Sequence, residues 1–382
     1  MENVASPRRV TSVDLLRGIV MILMALDHTR DYFSILRFQP EDLSRATFGL
    51  FMTRWVTHYC APTFFLLAGV GASLMLRAGR TKGQVSTFLL TRGLWLIFLE
   101  ITVLHFAWNF NWGFPKFLLV IWALGLSMII LAALLHLPTR VVAAFAISTI
   151  VLHNLLDGVT PQMLGALSPL WTVLHSPGLI AGKIFVGYPI VPWFAVMALG
   201  YALGEVFSWE PSRRKTFLVK AGVAVTIGFV LLRLSNTYGN PGAWSSQRNA
   251  LMTFASFLNL NKYPPSLLYL AMTLGPAMIA LSLFESARGK LVDIISVYGK
   301  VPFFYYVLHL FLIHGLSVAF AQWQGGDWRF LSLNTQAFPA WYGVSLPGVY
   351  LAWAIVILLL YFPCKWFAGL KGRNKSRWLS YL

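Results

Sequence analysis

The sequence predicts an all-α polytopic membrane protein, and three observations carry that expectation. Hydrophobic residues fill 57% of the 382 positions and charged residues only 11%, with a mean hydropathy of +0.67; soluble domains carry about 25% charge. The apolar residues gather into stretches of roughly 20, the length that crosses a bilayer core. The alternating segments of a transmembrane barrel are absent. A soluble globular protein, a disordered chain and a fibrous protein are thereby excluded.

Ten stretches qualify as spans: 13–36, 55–76, 88–107, 116–135, 140–156, 190–207, 216–234, 266–284, 299–320 and 346–366. Residues 1–382 read as one integral-membrane domain. With the N-terminus in the cytoplasm, two-thirds of the 30 Lys and Arg residues fall on the inner side, where cytoplasmic loops collect them. An even span count then places both termini in the cytoplasm. The formal charge of +17 is therefore a topology signal, and no nucleic-acid partner is expected. No small-residue cleavage site follows MENVASPRR and the first apolar run, so the first span is expected to be retained. The outer connections 37–54, 157–189, 235–265 and 321–345 are long and rich in Trp, Tyr, Pro, Gly and Asn. They read as interfacial belts or as a lid or substrate platform. Cys60 and Cys364 make no disulfide framework and lack metal-site spacing.

Charged groups inside spans are costly and mark functional positions. The first span carries most of them: Asp14 and Arg17 near its start, then Asp27-His28-Thr29-Arg30-Asp31 near its end. Asp14 and Arg17 share a helix face and can pair; a snorkelling Arg is the alternative. His28 lies about 20 Å along the helix from Asp14. Asp27 and Asp31 flank it, and a carboxylate neighbour would orient the imidazole and raise its basicity, as a general base requires. The competing reading is a solvated structural histidine. His58, His105, His153 and His314 project to the same side, with His309 nearer mid-membrane, which suggests an outward-opening polar cavity. No histidine pair has compelling spacing with a carboxylate, so no metal is expected. Glu100, inside the third span, reads as a helix–helix hydrogen-bonding group. The breakers in Tyr188–Phe194, Lys262–Leu267, Gly275-Pro276 and Gly299–Pro302 free backbone groups that neighbours must satisfy. Ala68–Ser73, with its two glycines, reads as a close-packing helix face.

The segment Ser12-Val13-Asp14-Leu15-Leu16-Arg17-Gly18, with His28 ten residues after the glycine, resembles the signature of two transmembrane acyltransferase families, acyltransferase-3 and heparan-α-glucosaminide N-acetyltransferase. In the first, a His at the far end of the first helix is the expected catalytic residue. In the second, that place is typically Asn and the catalytic His lies in the first luminal loop, for which His58 is the nearest candidate. Ala61–Gly69 resembles the second-helix motif of the heparan-α-glucosaminide family, and Gly299–His309 its late glycine-to-histidine motif. Nearly the whole chain is similar to bacterial proteins of that class, which implies a multi-pass protein of the bacterial inner membrane.

The resemblance implies acetyl transfer from cytoplasmic acetyl-CoA to a sugar or glycan acceptor on the outer face. Its catalytic candidates are His28, Asp27, Asp31 and His58. Its binding candidates are Arg17 and Asp14 at the inner mouth, with Arg54, Tyr305 and His309 deeper in. Arg17, with Arg92 and Lys300, would meet the CoA phosphates. Arg54, Tyr305 or a backbone amide would stabilise the oxyanion. Acetyl-CoA is the donor, no metal is called for, and the remaining partners are lipid and a second copy in a homodimer. Two other readings stay open: a proton-coupled small-molecule transporter using Asp27, His28 and Glu100, and a non-catalytic membrane scaffold.

Overall fold

The computed structural model describes residues 10–332, 338–374, 379 and 381. The leader MENVASPRR, with Arg8 and Arg9, and the tail cations Lys375 and Arg377 lie outside the described residues. The chain is mostly helical. It opens with α1 (Thr11–Phe33), α2 (Phe48–Thr57), α3 (Cys60–Arg77), α4 (Lys82–Leu99) and α5 (His105–Asn109). Then come α6 (Val120–Leu134), α7 (Thr139–Leu152), α8 (Ser168–Leu174), α9 (Trp193–Leu203) and α10 (Pro211–Ser235). It closes with α11 (Ala250–Leu258), α12 (Leu267–Phe284), α13 (Lys290–Lys300), α14 (Pro302–Trp323) and α15 (Leu346–Arg373).

Among the described residues, seven helical stretches are long and apolar enough to cross a membrane: Phe48–Arg77, Lys82–Asn109, Thr139–Leu156, Pro211–Ser235, Leu267–Phe284, Pro302–Trp323 and Leu346–Arg373. The ten-span expectation also counts three helices that fall short of that standard. The 23-residue α1 carries Asp14, Arg17, Asp27, Arg30 and Asp31, and α6 and the α9 region are apolar but shorter. Leu351, Leu358, Phe362 and Trp366 of α15 are exposed, which is the pattern of a lipid-facing helix. By contrast, α3 and α12 are largely enclosed.

The four most extensive helix contacts are α10 with α12, α3 with α9, α4 with α6, and α1 with α13. Each is made at glycine. Gly69 and Gly200 sit against the partner backbone between α3 and α9, Gly93 and Gly125 between α4 and α6, and Gly222 and Gly275 between α10 and α12. Between α1 and α13, Gly18 backs onto Ile295 and Gly299 onto Asp14. Small residues let helix backbones approach where apolar lipid gives no hydrophobic drive to associate. The close-packing face expected at Ala68–Ser73 is realised at Gly69, and Gly275-Pro276 is likewise a packing feature.

Three departures from the expected spans have physical causes. The second span begins earlier, because Thr47 caps α2 by accepting from Leu50 N, and it breaks at His58–Tyr59. Pro62 has no N–H for the His58 carbonyl, and the Tyr269 hydroxyl donates to that carbonyl instead (2.8 Å). The expected ninth span, 299–320, is helical as α14 from Pro302, whose missing N–H separates it from α13, ending at Lys300. The expected fourth span, 116–135, is helical only from Val120, and the all-α expectation is corrected there. Lys116–Leu118 forms strand β1, which pairs parallel with β3 (Ile184–Val186), itself antiparallel to β2 (Gly178–Ile180). The partners of β1 come from the long connection 157–189, whose strand content was hidden by its turn residues.

Candidate functional site

Two cavities enter the bundle from opposite ends of α1. Arg17 and His28 are 11 residues apart, about 17 Å along the helix. The cavity at the Arg17 end encloses about 300 Å³ and its wall carries Arg17, Arg92, Lys300 and Lys371 among mainly apolar side chains. Arg17 is anchored by Asp14 Oδ1 (3.3 Å) and by the Gly299 carbonyl (3.2 Å), both accepting from its Nη1. The expected Asp14–Arg17 pair is therefore present; Arg17 lines the cavity and Asp14 stands behind it. The cavity at the His28 end encloses about 560 Å³ and includes Asp27, His28, Asp31, Glu41, Arg54 and Lys262. Phe64, Val120 and Tyr306 line both cavities, so the two meet back to back inside the bundle.

His28 is fixed by other rings. Its Nδ1 lies 2.7 Å from His309 Nε2, the two imidazoles stack at 4.9 Å, and Trp108 packs edge-on at 4.8 Å. The proton positions follow from the network. His309 Nδ1 faces the Tyr305 carbonyl at 3.2 Å, and a carbonyl only accepts, so that nitrogen carries the hydrogen. His309 Nε2 is then the acceptor, His28 Nδ1–H donates to it, and the free lone pair of His28 is on Nε2. The imidazole is thus oriented by a second histidine, where Asp27 or Asp31 was expected.

The carboxylates do different work. Asp27 bridges two guanidinium groups, Arg30 at 2.8 Å through Oδ1 and Arg54 at 2.5 Å through Oδ2. Asp31 pairs with Arg30 at 2.8 Å. Arg54 Nε donates to Glu41 Oε1 at 2.6 Å. Three carboxylates and two cations, Arg54 and Lys262, thus line one cavity, with Arg30 paired to Asp27 and Asp31 outside the lining. Glu41, in the connection between α1 and α2, is the member that sequence reasoning missed. Burial by itself would raise its carboxyl, but Arg54 and His58 outweigh that and hold it well below the usual carboxylate range.

The remaining histidines separate into distinct settings. His58 is buried behind Glu41, 3.7 Å from its Oε1, and lies outside the cavity lining. His314 Nδ1 donates to the Ala107 carbonyl (2.9 Å) and His105 Nε2 to the Gly113 carbonyl (3.0 Å). The Ala107 carbonyl lies in the last turn of α5, where a helix leaves acceptors unpaired, and Gly113 lies in the connection that follows. Tyr305 stacks on His309 at 5.3 Å but borders neither cavity; its neighbour Tyr306 borders both. Glu100 opens a π-helical segment, Glu100–Leu104, and its Oε1 accepts from Leu119 N (2.9 Å) at the start of α6. It therefore serves as a helix–helix hydrogen-bonding group, as expected. Tyr188 and Lys262-Tyr263, from two of the breaker motifs, line the His28 cavity.

Fold and site together define a membrane-embedded protein with a histidine pair, His28 on a cavity wall and His309 buried behind it, and two cavities of unlike charge. The sequence model of the heparan-α-glucosaminide N-acetyltransferase catalytic family matches residues 9–234, more than half of the chain, and the protein belongs to that family. Membership carries the class of chemistry, acetyl transfer by a transmembrane enzyme. The match includes Arg17, His28, Arg54 and His58 and ends before α14, which supplies His309. No curated protein matches the chain.

Proposed function

We propose that the protein transfers an acetyl group from acetyl-CoA, bound at the Arg17 cavity, to a hydroxyl or amine of a sugar bound in the His28 cavity. One observation carries this: the cavities abut at Phe64, Val120 and Tyr306, with four basic residues lining one and the His28–His309 pair beside the junction. CoA is a polyanion that cannot enter lipid. Arg17, Arg92, Lys300 and Lys371 form a phosphate-binding mouth, and the apolar wall beyond them suits the pantetheine arm. The ionic wall of the other cavity suits a polyhydroxylated acceptor. In this reading the Arg17 end faces the cytoplasm and the His28 end faces out.

His28 Nε2 takes the proton from the acceptor oxygen or nitrogen as that atom attacks the thioester carbonyl carbon. The tetrahedral intermediate collapses with cleavage of the carbon–sulfur bond. The imidazolium returns its proton to the CoA sulfur. His309, by accepting from His28 Nδ1, holds the tautomer that leaves Nε2 basic. Asp27, bound to Arg30 and Arg54, keeps those guanidinium groups in place, so the proposed role of Asp27 becomes electrostatic support. Asp31, also on the cavity wall, is placed to accept from the acceptor sugar. Arg54 is already engaged by two carboxylates, which leaves its assignment as oxyanion stabiliser without support.

The test gives purified protein radiolabelled acetyl-CoA and a panel of sugars. The wild type should label an acceptor, and His28→Ala should lower transfer about 10²–10⁴-fold while eluting as a monodisperse species in detergent. Turnover near wild type in His28→Ala would sink the mechanism. Substrate flux across proteoliposomes without acetyl-CoA would favour a transporter.

A further inference from the structure

His153, Asp157 and His175 meet at a place that acetyl transfer does not use. His153 opens the 3-10 turn His153–Leu156 that follows α7, Asp157 comes next, and His175 follows α8. His153 Nδ1 and His175 Nε2 are 3.4 Å apart, and His175 Nε2 is 3.8 Å from Asp157 Oδ1. Both separations exceed the usual 2.7–3.2 Å of a good hydrogen bond. Both histidines are about 97% buried, at 3% exposure, and His153 Nε2 is enclosed with no hydrogen-bond partner. Two buried imidazoles thus meet through one long contact beside a partly exposed carboxylate, an arrangement that a further group between them would complete.

The spacing identifies that group. One ligand atom from each residue lies within 4.8 Å of the others. A tetrahedral ion with bonds of about 2.0–2.2 Å holds its ligand atoms about 3.3–3.6 Å apart, so the two measured edges are already near the required length. The carboxylate has the outer support of a metal ligand, whereas His153 Nε2, on the far side of the ring from His175, has no acceptor. Asn154 Nδ2 donates to Asp157 Oδ2 (2.8 Å), which leaves Oδ1 for the histidines. Trp171 stacks on His175 at 5.2 Å, and its Nε1–H donates to the Val159 carbonyl.

We propose that His153, Asp157 and His175 bind one divalent transition-metal ion, with zinc the best match to two imidazoles and a carboxylate. The site clips the connection between α7 and α9 to the end of α7. The Val173 and Leu174 carbonyls, just before His175, accept from Ile190 N and Val191 N, and Tyr188 two residues earlier lines the His28 cavity. The ion therefore fixes one wall of that cavity from outside it. The inference stands on its own geometry and does not depend on acetyl transfer.

The test uses the full chain in detergent, free of any polyhistidine tag, stripped with chelator and titrated with Zn²⁺ or with Co²⁺ as a spectroscopic probe. The expected result is one tightly held equivalent, a Co²⁺ absorption spectrum of four-coordinate type, and a metal-dependent rise in the thermal midpoint. Substitutions around a metal's ligands alone cost about 10–100-fold in affinity, so Asp157→Asn should weaken binding at least about tenfold and His175→Gln should abolish it. Asp157 is partly exposed and its Asn variant keeps the shape, so a folded Asp157→Asn protein decides the question even if His175→Gln misfolds. Wild type that holds no stoichiometric metal, or Asp157→Asn that binds it as tightly as wild type, overturns the proposal.

Discussion

Glu41 shows how one side chain from a connection can complete a buried charge network. Its carboxylate holds Arg54, which holds Asp27, which holds Arg30 beside Asp31. Because its folded pKa is depressed, its contribution to stability is present above the ordinary glutamate value of about 4.3. It is lost as pH falls from there through the folded value. Wild-type protein should therefore lose thermal stability on acidification through that range. Glu41→Gln should be less stable by about 1–3 kcal/mol at neutral pH and show a flatter acid limb. Differential scanning fluorimetry in detergent measures both, and equal acid limbs would remove Glu41 from the account. At this scale the sequence was informative for His28, Asp27, Asp31 and Arg17, because charge inside an apolar helix stands out. It was uninformative about partners. The contact of His28 with His309 joins residues 281 apart in sequence, and no local pattern encodes it. Glu41 could have been flagged by the scarcity of acids, of which the chain has 13.

At the scale of elements, the helices were legible from their apolar runs and their breaks were not. Pro302 was visible as a breaker and Pro62 was read only as part of a family motif; what satisfies the carbonyl that Pro62 strands, the Tyr269 hydroxyl, comes from a helix far away in sequence. The glycine crossings follow the same logic. A Cβ at Gly200 would collide with the Leu66 backbone on α3, so Gly200→Leu must push α3 and α9 apart. Overpacking of this kind costs about 1–3 kcal/mol or more. Gly228 on α10 has open space around it, and Gly228→Leu should be tolerated. The expected outcome is a lowered thermal midpoint and aggregation on size exclusion for the first variant and wild-type behaviour for the second. Indistinguishable profiles would mean that the crossing is not load-sensitive. The strand pairing of 116–118 with 184–186 had no legible signal, since three residues are too few to show a period.

For the whole molecule, the charge asymmetry along α1 sorts kinetic effects by end. Arg17→Ala and Lys300→Ala remove cations from one cavity and leave His28 untouched. They should raise the KM for acetyl-CoA about 10-fold each, from the loss of a charge-assisted contact worth roughly 1.5 kcal/mol, with little change in kcat. Effects of the reverse kind, on kcat alone, would move the donor elsewhere. The gross layout, an apolar helical bundle, was legible from composition. The existence of two cavities was not, because it depends on where side chains from α1, α3, α6 and α14 leave space.

The back-to-back arrangement has a further consequence for a cell that lives on an ion gradient. Where Phe64, Val120 and Tyr306 separate the cavities, in the proposed orientation three side chains would do the insulating that elsewhere takes the full thickness of the lipid. In the proposed reading they would hold apart two compartments of different voltage and acidity, while an acetyl group passes between them. On that reading, the residues that would decide how readily the thioester reaches its acceptor would also decide how much current leaks through the protein while it waits.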